Sequence, residues 1–540
     1  DLNVRAEDKV SIVSQKDRVE HEKDIQKGVS FWGPTETGTE TSVEESLSQT
    51  RLKSGGVMRI DGQAGVDMSS VALDMGEGGT VYADKGSVTN TALYLQNSTV
   101  YKGRKNGREI TDISMSTTGQ ASHITGGELG VDIHAKDDIT LEGTKIKTSG
   151  NLSLSTDEGD IALVGMVNSE YSKRQEHWTS SKWGGLVTTK HEKVSEDLNE
   201  SVDRTVMEGA NYSAKAGGNM VKAGSTIQAG SIYESGKDKI ESSVVLSSLD
   251  VDKQSSSSSF SLGGLITVDD IKSSEHEVYE RAQKHEVNEN KASGTIVNEF
   301  SGAMVLEGSE YAAGGGVSLK AADVALLAVR DSVERYEKKK EQSFSGISLD
   351  ANASKMQAGV STHYKGTTDI SQTYDETAKG VRIAGQGVSV EATDGQLYGE
   401  GTAIHSGDGE LKIKGSEGVN FVEARERHEV MTSHSEDEKT VRAYVGNRWA
   451  ETAVSAVEAI HSGNGVDGAA KTGRLLNNIA NSAESAATLG FYGGVEVTET
   501  QQTSTQRQGM DVGVGATFVS NGGMTFESEN GDITLQGATA

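Results

Sequence analysis

Ile139-Thr-Leu-Glu-Gly143-Thr-Lys-Ile146, Gly150-Asn-Leu-Ser-Leu154 and Gly159-Asp-Ile-Ala-Leu-Val-Gly165 follow one another with little between them. In each, apolar residues alternate with small polar ones for three to five positions, and a corner carrying Gly or Asp follows. Alternation with period two marks a strand buried on one side. The corners come too often for an ordinary hairpin sheet. Leu141 lies 20 residues before Ile161, about one turn of a three-sided coil. Short strands stacked at that period make a solenoid, in which each turn buries its inward residues against the next.

Outward from this stretch the pattern continues. Leu2, Val4, Ala6, Val10 and Ile12 read as a first coil fragment. From about 56 to 168 the coils are nearly uninterrupted, marked by Val66/Met68, Val81, Val88, Leu93/Leu95, Val100, Ile110/Ile113, Ile124 and Val131/Ile133. The bulk composition agrees. A chain of 540 residues would ordinarily divide into three or four globular domains. Here hydrophobic residues are only 34% and aromatics 5%, with 65 Gly and a single Pro, Pro34. A solenoid manages on less apolar mass, because its core is a thin column of Val, Ile, Leu and Ala. Disorder, the rival reading of low hydrophobicity with a net charge of -28, fails because the apolar residues are patterned.

The acidic charge is spread evenly, which argues against nucleic acid as a partner. No run of 18 apolar residues offers a spanning helix. The sequence opens inside a strand pattern without a signal peptide, as expected of a segment cut from a longer polypeptide. Cysteine is absent, which suits a protein exported unfolded through an oxidising compartment.

Excursions interrupt the column. Each has a charged outgoing limb, an aromatic–glycine turn and a returning limb: Gly28-Val-Ser-Phe31-Trp32-Gly33-Pro34, Lys182-Trp183-Gly184-Gly185, Phe260-Ser-Leu-Gly263-Gly264, Phe344-Ser-Gly346 and Tyr444-Val-Gly446. They place arms at about 15–55, 168–210, 249–300, 331–380 and 423–520. Trp183 to Phe260 is 77 residues and Phe260 to Phe344 is 84, whereas Phe31 to Trp183 is 152, close to two such intervals. Val194, Leu198, Val202 and Val206 recur every four residues, as a helical stripe or as one face of a long strand; Ser, Thr and Val enrichment leans toward hairpins. At about 447–490, Trp449, Ala453, Val457 and Ile460, then Leu475, Ile479, Ala483 and Ala486, read as an Ala-rich helical insertion within the last arm.

Gly150-Asn-Leu-Ser-Leu154 and Gly531-Asp-Ile-Thr-Leu535 resemble filamentous-haemagglutinin repeats. Ser-rich charged arms ending in Trp183-Gly-Gly or Phe344-Ser-Gly resemble the second haemagglutinin-repeat region of contact-dependent inhibition exoproteins of the CdiA type. The resemblance covers essentially the whole chain. It implies an all-β, right-handed parallel β-helix with protruding hairpin-like arms, forming one continuous rod over 1–540. The general preference of parallel crossovers gives the same hand. Coils of about 21 residues would number roughly 14 and span on the order of 70 Å. The family's biology implies a secreted, Gram-negative cell-surface protein. The same resemblance implies export by an outer-membrane transporter partner, a C-terminal toxin elsewhere in the same exoprotein, and action at the target cell's outer membrane or on its proteins during toxin translocation. An adhesin stalk binding host or neighbouring cells is the alternative, and a β-helical carbohydrate-active enzyme is a remoter one.

Catalysis is not expected. The 12 His include no His-Glu-x-x-His pair, and His428 and His434 read as solvated arm residues. Without Cys there is neither a thiolate zinc site nor a Cys nucleophile. Asp137-Asp138 and Glu436-Asp437-Glu438 are the carboxylate pairs to weigh against glycosidase chemistry, and Asp at coil corners is ordinary turn chemistry. No Gly-Gly-x-Gly-x-Asp calcium repeat occurs. No cofactor or metal is expected. Phe31, Trp32, Trp183, Phe260, Phe344, Tyr444 and Trp449 remain as membrane or partner contacts, unless they pack arm on arm.

Overall fold

In the computed structural model residues 1–30, 33–262, 266–352, 357–446 and 492–540 are described, and among them the chain is all β apart from a three-residue turn at Trp183–Gly185. Three parallel sheets, of 12, 12 and 11 strands, stack along one axis as the walls of a column. One coil comprises Gly130–Ala135 on the first wall, Ile139–Glu142 on the second and Thr144–Thr148 on the third; Leu152–Thr156 then opens the next coil. Val131 pairs with Leu152, Ile139 with Ile161 and Ile124 with Ile146, so the coil here is 21 or 22 residues long. The first wall counts 12 coils, fewer than the roughly 14 expected. Twelve strands at about 4.8 Å make a column of roughly 55 Å.

Alternation does what the sequence implied. Leu152 and Leu154, Ile161 and Leu163, and Ile139 and Leu141 all point inward and are fully buried. Each such side chain contributes about 1.5–3 kcal/mol relative to exposure. Their equivalents in neighbouring coils stack on them, which turns a single-turn signal into a continuous core.

Coils of two kinds alternate. In one kind the second wall passes to the third through a single residue with left-handed backbone: Ser70 (φ 51°), Gly143 (54°), Gly224 (65°), Gly308 (62°) and Gly401 (55°). A Cβ on Gly143 would sit 2.3 Å from the sulfur of Met166, so the corner excludes a side chain as well as favouring the φ. In the other kind an antiparallel hairpin is inserted at that corner. Six hairpins result: Gln15–Ser30 with Gly33–Ser48, Leu93–Lys105 with Arg108–Gln120, Met166–Lys182 with Val187–Asp203, Val244–Leu262 with Ile266–Glu286, Val329–Asn352 with Gln357–Lys379, and Ala424–Gly446 with Tyr492–Val514.

The six hairpins are not separate arms. Each pairs with the next, and together they form one 12-stranded antiparallel sheet along the column. Strand spacing explains this. Coils are about 4.8 Å apart, so hairpins on alternate coils are rooted about 9.6 Å apart, which is the width of two strands. A hairpin on every coil would be too crowded, and one on every third would leave gaps.

The structure corrects several expectations. Residues 93–120, read above as coil, are the second hairpin, turned by Asn106 (φ 51°) and Gly107 (φ 80°). Asn-Gly with both φ positive is the favoured two-residue hairpin turn, and no aromatic accompanies it. The arms also end sooner than expected: Arg51–Lys53, Thr205–Gly209, Glu289–Ala292, Ile296–Phe300 and Thr517–Ser520 are column strands, several too polar to stand out. The helical insertion at about 447–490 lies outside the described residues.

Candidate functional site: the lateral sheet and a buried ionic centre

The third hairpin is partly exposed on both faces. Strand Val187–Asp203 contains no fully buried residue, and its neighbour Met166–Lys182 is buried only at Met166, near the root, and at Glu176. Val194, Leu198 and Val202 lie on one face of an extended strand, so the four-residue recurrence is twice the strand period and not a helix. What holds such a layer is pairing across strands. Opposite charges face one another between successive hairpins: Lys105–Glu36 (3.4 Å), Arg108–Glu176 (2.7 Å), Arg335–Glu280 (2.7 Å) and Arg507–Glu429 (2.8 Å, within the sixth). The exposed pairs among these contribute at most about 1 kcal/mol each, Glu176 being the buried exception, and their larger effect is to fix register. Rings add to this. Tyr279 stacks on Tyr336 at 4.9 Å between the fourth and fifth hairpins, and Arg108 lies 4.4 Å over Trp178 between the second and third. Ile25, Tyr101 and Ile110 form a small buried apolar cluster joining the first two hairpins.

The aromatics singled out from sequence fall in several places. Trp183 opens the tip of the third hairpin, where Gly184 (φ 66°) and Gly185 (φ 98°) make the reversal. Phe260 is half-buried near the fourth tip, opposite Val187 and Val268. Phe344 is not at a turn. It sits within Val329–Asn352, where a bulge between Phe344 and Gly346 shifts the register, and its ring meets Tyr364 edge-on at 5.6 Å. Gly346 (φ 149°) serves the bulge, a role that in sequence looks the same as a turn. Tyr444 lies on Ala424–Gly446 opposite Gly494. Phe31, Trp32 and Trp449 lie outside the described residues. Phe260 and Phe344 lie on different hairpins, the fourth and the fifth.

The other sequence candidates are also dispersed. Asp138 accepts the backbone N–H of Asp160 at 2.8 Å, as corner chemistry requires. Glu436, Asp437 and Glu438 alternate faces along a strand. His428 pairs with Asp375 (3.0 Å) and His434 with Asp369 (2.5 Å), both across the junction of the fifth and sixth hairpins. The hydrogen bond to Asp369 holds the His434 imidazolium above its ordinary pKa, with Glu436 assisting. A raised pKa stabilises the fold at low pH, and this contribution is lost as pH rises through the folded value. Asp369→Asn should move the His434 titration downward in an NMR pH series, and an unchanged titration would remove the pair from the account.

Sequence reading missed the most unusual chemistry, which lies inside the column. Over coils six to eight all three walls turn from aliphatic to polar. On the second wall the stack Met220, Lys239, Met304 runs beside Leu163, Lys222, Glu241, Leu306. On the first wall Ala214, Glu234, Asn298 and Leu319 follow one another, and on the third Ile227, Asn290 and Tyr311. Lys222, Glu234, Lys239 and Glu241 are each 0% exposed. Lys222 lies 3.0 Å from Glu234 and 2.6 Å from Glu241; Lys239 lies 3.0 Å from Glu241 and bonds Glu234 as well. Asn290 Oδ1 accepts from Lys222 at 2.7 Å, and the Tyr311 hydroxyl donates to Glu241 at 2.7 Å. Burial by itself would lift the Glu241 carboxyl, but the two ammonium groups hold it far below the carboxylate range. The root of the fourth hairpin is fastened beside this centre. Asn288 accepts from the N–H and hydroxyl of Ser225 and donates to the Ser242 carbonyl. Arg204, at the end of the third hairpin, bonds Glu286 (2.8 Å) and the Val287 carbonyl (2.7 Å).

A family model described as a hemagglutinin repeat matches residues 266–378. The matched span begins on the first residue of the fourth hairpin's returning strand and ends one residue before the fifth hairpin's returning strand does. The matched span thus covers two coils, and hairpin limbs make up at least as much of it as the column does. Repeats of this kind occur in secreted cell-surface proteins of Gram-negative bacteria, which supports a secreted or surface location in general. No curated protein and no solved structure matches the chain.

Proposed function

We propose that this chain is a non-enzymatic stalk segment of a two-partner-secreted exoprotein, carried out of the cell by an outer-membrane transporter. The same exoprotein bears a toxin, and this segment acts at the target cell's outer membrane while that toxin crosses. The observation that carries the structural half is the strict alternation of plain and hairpin-bearing coils, which makes a stiff rod with a solvated sheet along its flank. The delivery half rests on the likeness of the Ser-rich arms to the second repeat region of contact-dependent inhibition exoproteins. The sheet's dispersed polar pairs suit a surface that guides or spaces, and the described residues contain no cluster suited to metal binding and no helix long and apolar enough to span a bilayer.

Deleting Leu152–Gly316 from the full exoprotein removes four coils and two hairpins while keeping the alternation, since Leu152 and Val317 occupy equivalent positions on the first wall. Toxin entry is expected to fall at least tenfold while recipient cells are still bound. Undiminished entry would overturn the delivery reading. Loss of binding itself would favour the adhesin stalk.

A further inference from the structure

The buried centre contains an amine, a carboxamide and a carboxylate in reacting order. Lys222 Nζ is 2.7 Å from Asn290 Oδ1 and 2.6 Å from Glu241 Oε1, and Asn290 Nδ2 is 3.5 Å from the same Glu241 oxygen. All three side chains are removed from water, and the two strands that carry Lys222 and Asn290 are fixed by ladders on either side. We propose that Lys222 and Asn290 join in a self-catalysed isopeptide bond, with Glu241 as the proton carrier.

The step balances without any co-reactant. Lys222 and Lys239 keep Glu241 ionised, so the proton passes from the Lys222 ammonium to Glu241 along their hydrogen bond in the same step in which Nζ attacks Cγ of Asn290, forming a Cγ–Nζ bond and a tetrahedral centre. Glu241 returns the proton to Nδ2, the Cγ–Nδ2 bond breaks, and ammonia leaves, taking up the second proton of the former amine. One amide replaces another, so nothing is oxidised or reduced. The fold supplies what the reaction needs: contact at hydrogen-bond distance, exclusion of water that would hydrolyse an activated amide, and a carboxylate touching both nitrogens.

Position gives the bond a purpose. Lys222 lies in the sixth coil and Asn290 in the seventh, and the chain between them contains the whole fourth hairpin. The link would close that hairpin's root covalently at mid-column, in a protein that has no cysteine to do so. It can form only after the coils stack, so it does not obstruct export of the unfolded chain. A related trio lies one coil along. Turned about its terminal bond, the Asn298 carboxamide places oxygen 2.8 Å from Lys239 and nitrogen 3.0 Å from Glu234.

The test is mass spectrometry of the folded 540-residue chain. The intact mass is expected to be lower than the sequence mass by one ammonia, and proteolysis should release a branched peptide joining Lys222 to Asn290, uncleaved by trypsin after Lys222. Fragmentation separates this branch from a succinimide at Asn290, which also loses ammonia but links no second peptide. Glu241→Gln should abolish the branch, and Lys222→Met should abolish both the branch and the mass loss assigned to it. Recovery of unmodified peptides containing Lys222 and Asn290 from the folded wild-type chain would overturn the proposal without recourse to any variant. A branch found only between Lys239 and Asn298 would overturn the assignment equally.

Discussion

Removing one plain coil is expected to damage the protein far more than removing two coils together with a hairpin. The single deletion, Val131–Asn151, joins Gly130 to Leu152; the double deletion, Gly79–Asn151, joins Gly78 to Leu152. Gly79, Val131 and Leu152 occupy equivalent positions on the first wall, so the column closes in register in both variants. The lateral sheet does not. After the single deletion the second and third hairpins root on adjacent coils about 4.8 Å apart, yet each is two strands wide. One of them must leave the sheet. The nine paired positions between Arg108–Gln120 and Met166–Lys182 are then lost, and two unpaired edges open to water. At about 0.2–1 kcal/mol for each cross-strand pair, the loss is roughly 2–9 kcal/mol. After the double deletion the first hairpin, with strands of 16 residues, meets the third, with strands of 17, and the alternation is intact. Thermal melts of the double variant should stay within a few degrees of the parent, whereas the single variant should melt earlier and be cut by protease within residues 93–120 or 166–203. Equal protease resistance of the two would refute the spacing argument.

The column was legible in the sequence because two periods coincide there: inward residues at every second position, and corners at every coil. The same two-residue alternation hid the second hairpin. Leu93 and Leu95 are spaced as in a wall strand, Val100, Ile110 and Ile113 keep apolar residues recurring after them, and Asn106-Gly107 lacks the aromatic that marked the other arms. The 152-residue gap between Phe31 and Trp183 held the missing copy in plain view, since it spans two repeat intervals. That the arms would fuse into one sheet could not be read from any single arm. It follows from the ratio of coil spacing to hairpin width, which needs the alternation of plain and hairpin-bearing coils to be known first. Phe344 and Gly346 mark the limit of local signals, because a glycine beside an aromatic serves a bulge or a tip equally well.

The ionic centre escaped for a different reason. Charged side chains ordinarily face water, whereas the frame set by Met220 and by the corner at Asp238 puts Lys222, Lys239 and Glu241 inward and leaves Ile240 at 41% exposure. An exposed Ile flanked by Lys and Glu within a wall strand was the available clue.

Breaking that centre on one side is expected to be costly, and replacing a whole side of it much less so. Glu234→Leu leaves two buried ammonium groups facing the single carboxylate of Glu241. An uncompensated charge of this kind costs about 3–5 kcal/mol. The triple variant Glu234→Leu, Lys239→Met, Asn298→Leu removes one charge of each sign together with the carboxamide that both engage. It continues the aliphatic stacks, with a new methionine side chain between those of Met220 and Met304 and leucines between Ala214 and Leu319. Replacing a buried pair by apolar residues of similar volume is often neutral or stabilising by about 1–4 kcal/mol, so urea midpoints should return to the parent value or exceed it. Both variants are compared in an Asn290→Ser parent, which cannot form the proposed cross-link and so keeps the Lys222 ammonium; in a cross-linked chain Glu234→Leu would leave Lys239 paired with Glu241 and cost little. Acid separates the same terms. Glu241 is held far below its ordinary 4.5 by Lys222 and Lys239 against the upward pull of burial, so its contribution is complete above the unfolded carboxylate pKa and is lost as pH falls through the folded value. The triple variant, with one ammonium fewer to depress Glu241, should begin to lose stability at a higher pH than the parent even where its neutral-pH stability is equal. A centre that adds little net stability and yet makes every half-measure expensive acts as a register lock. Aliphatic stacks tolerate a slipped coil, but four charges and two carboxamides meet in only one alignment. That alignment also sets which coil carries the fourth hairpin and so keeps the lateral sheet continuous.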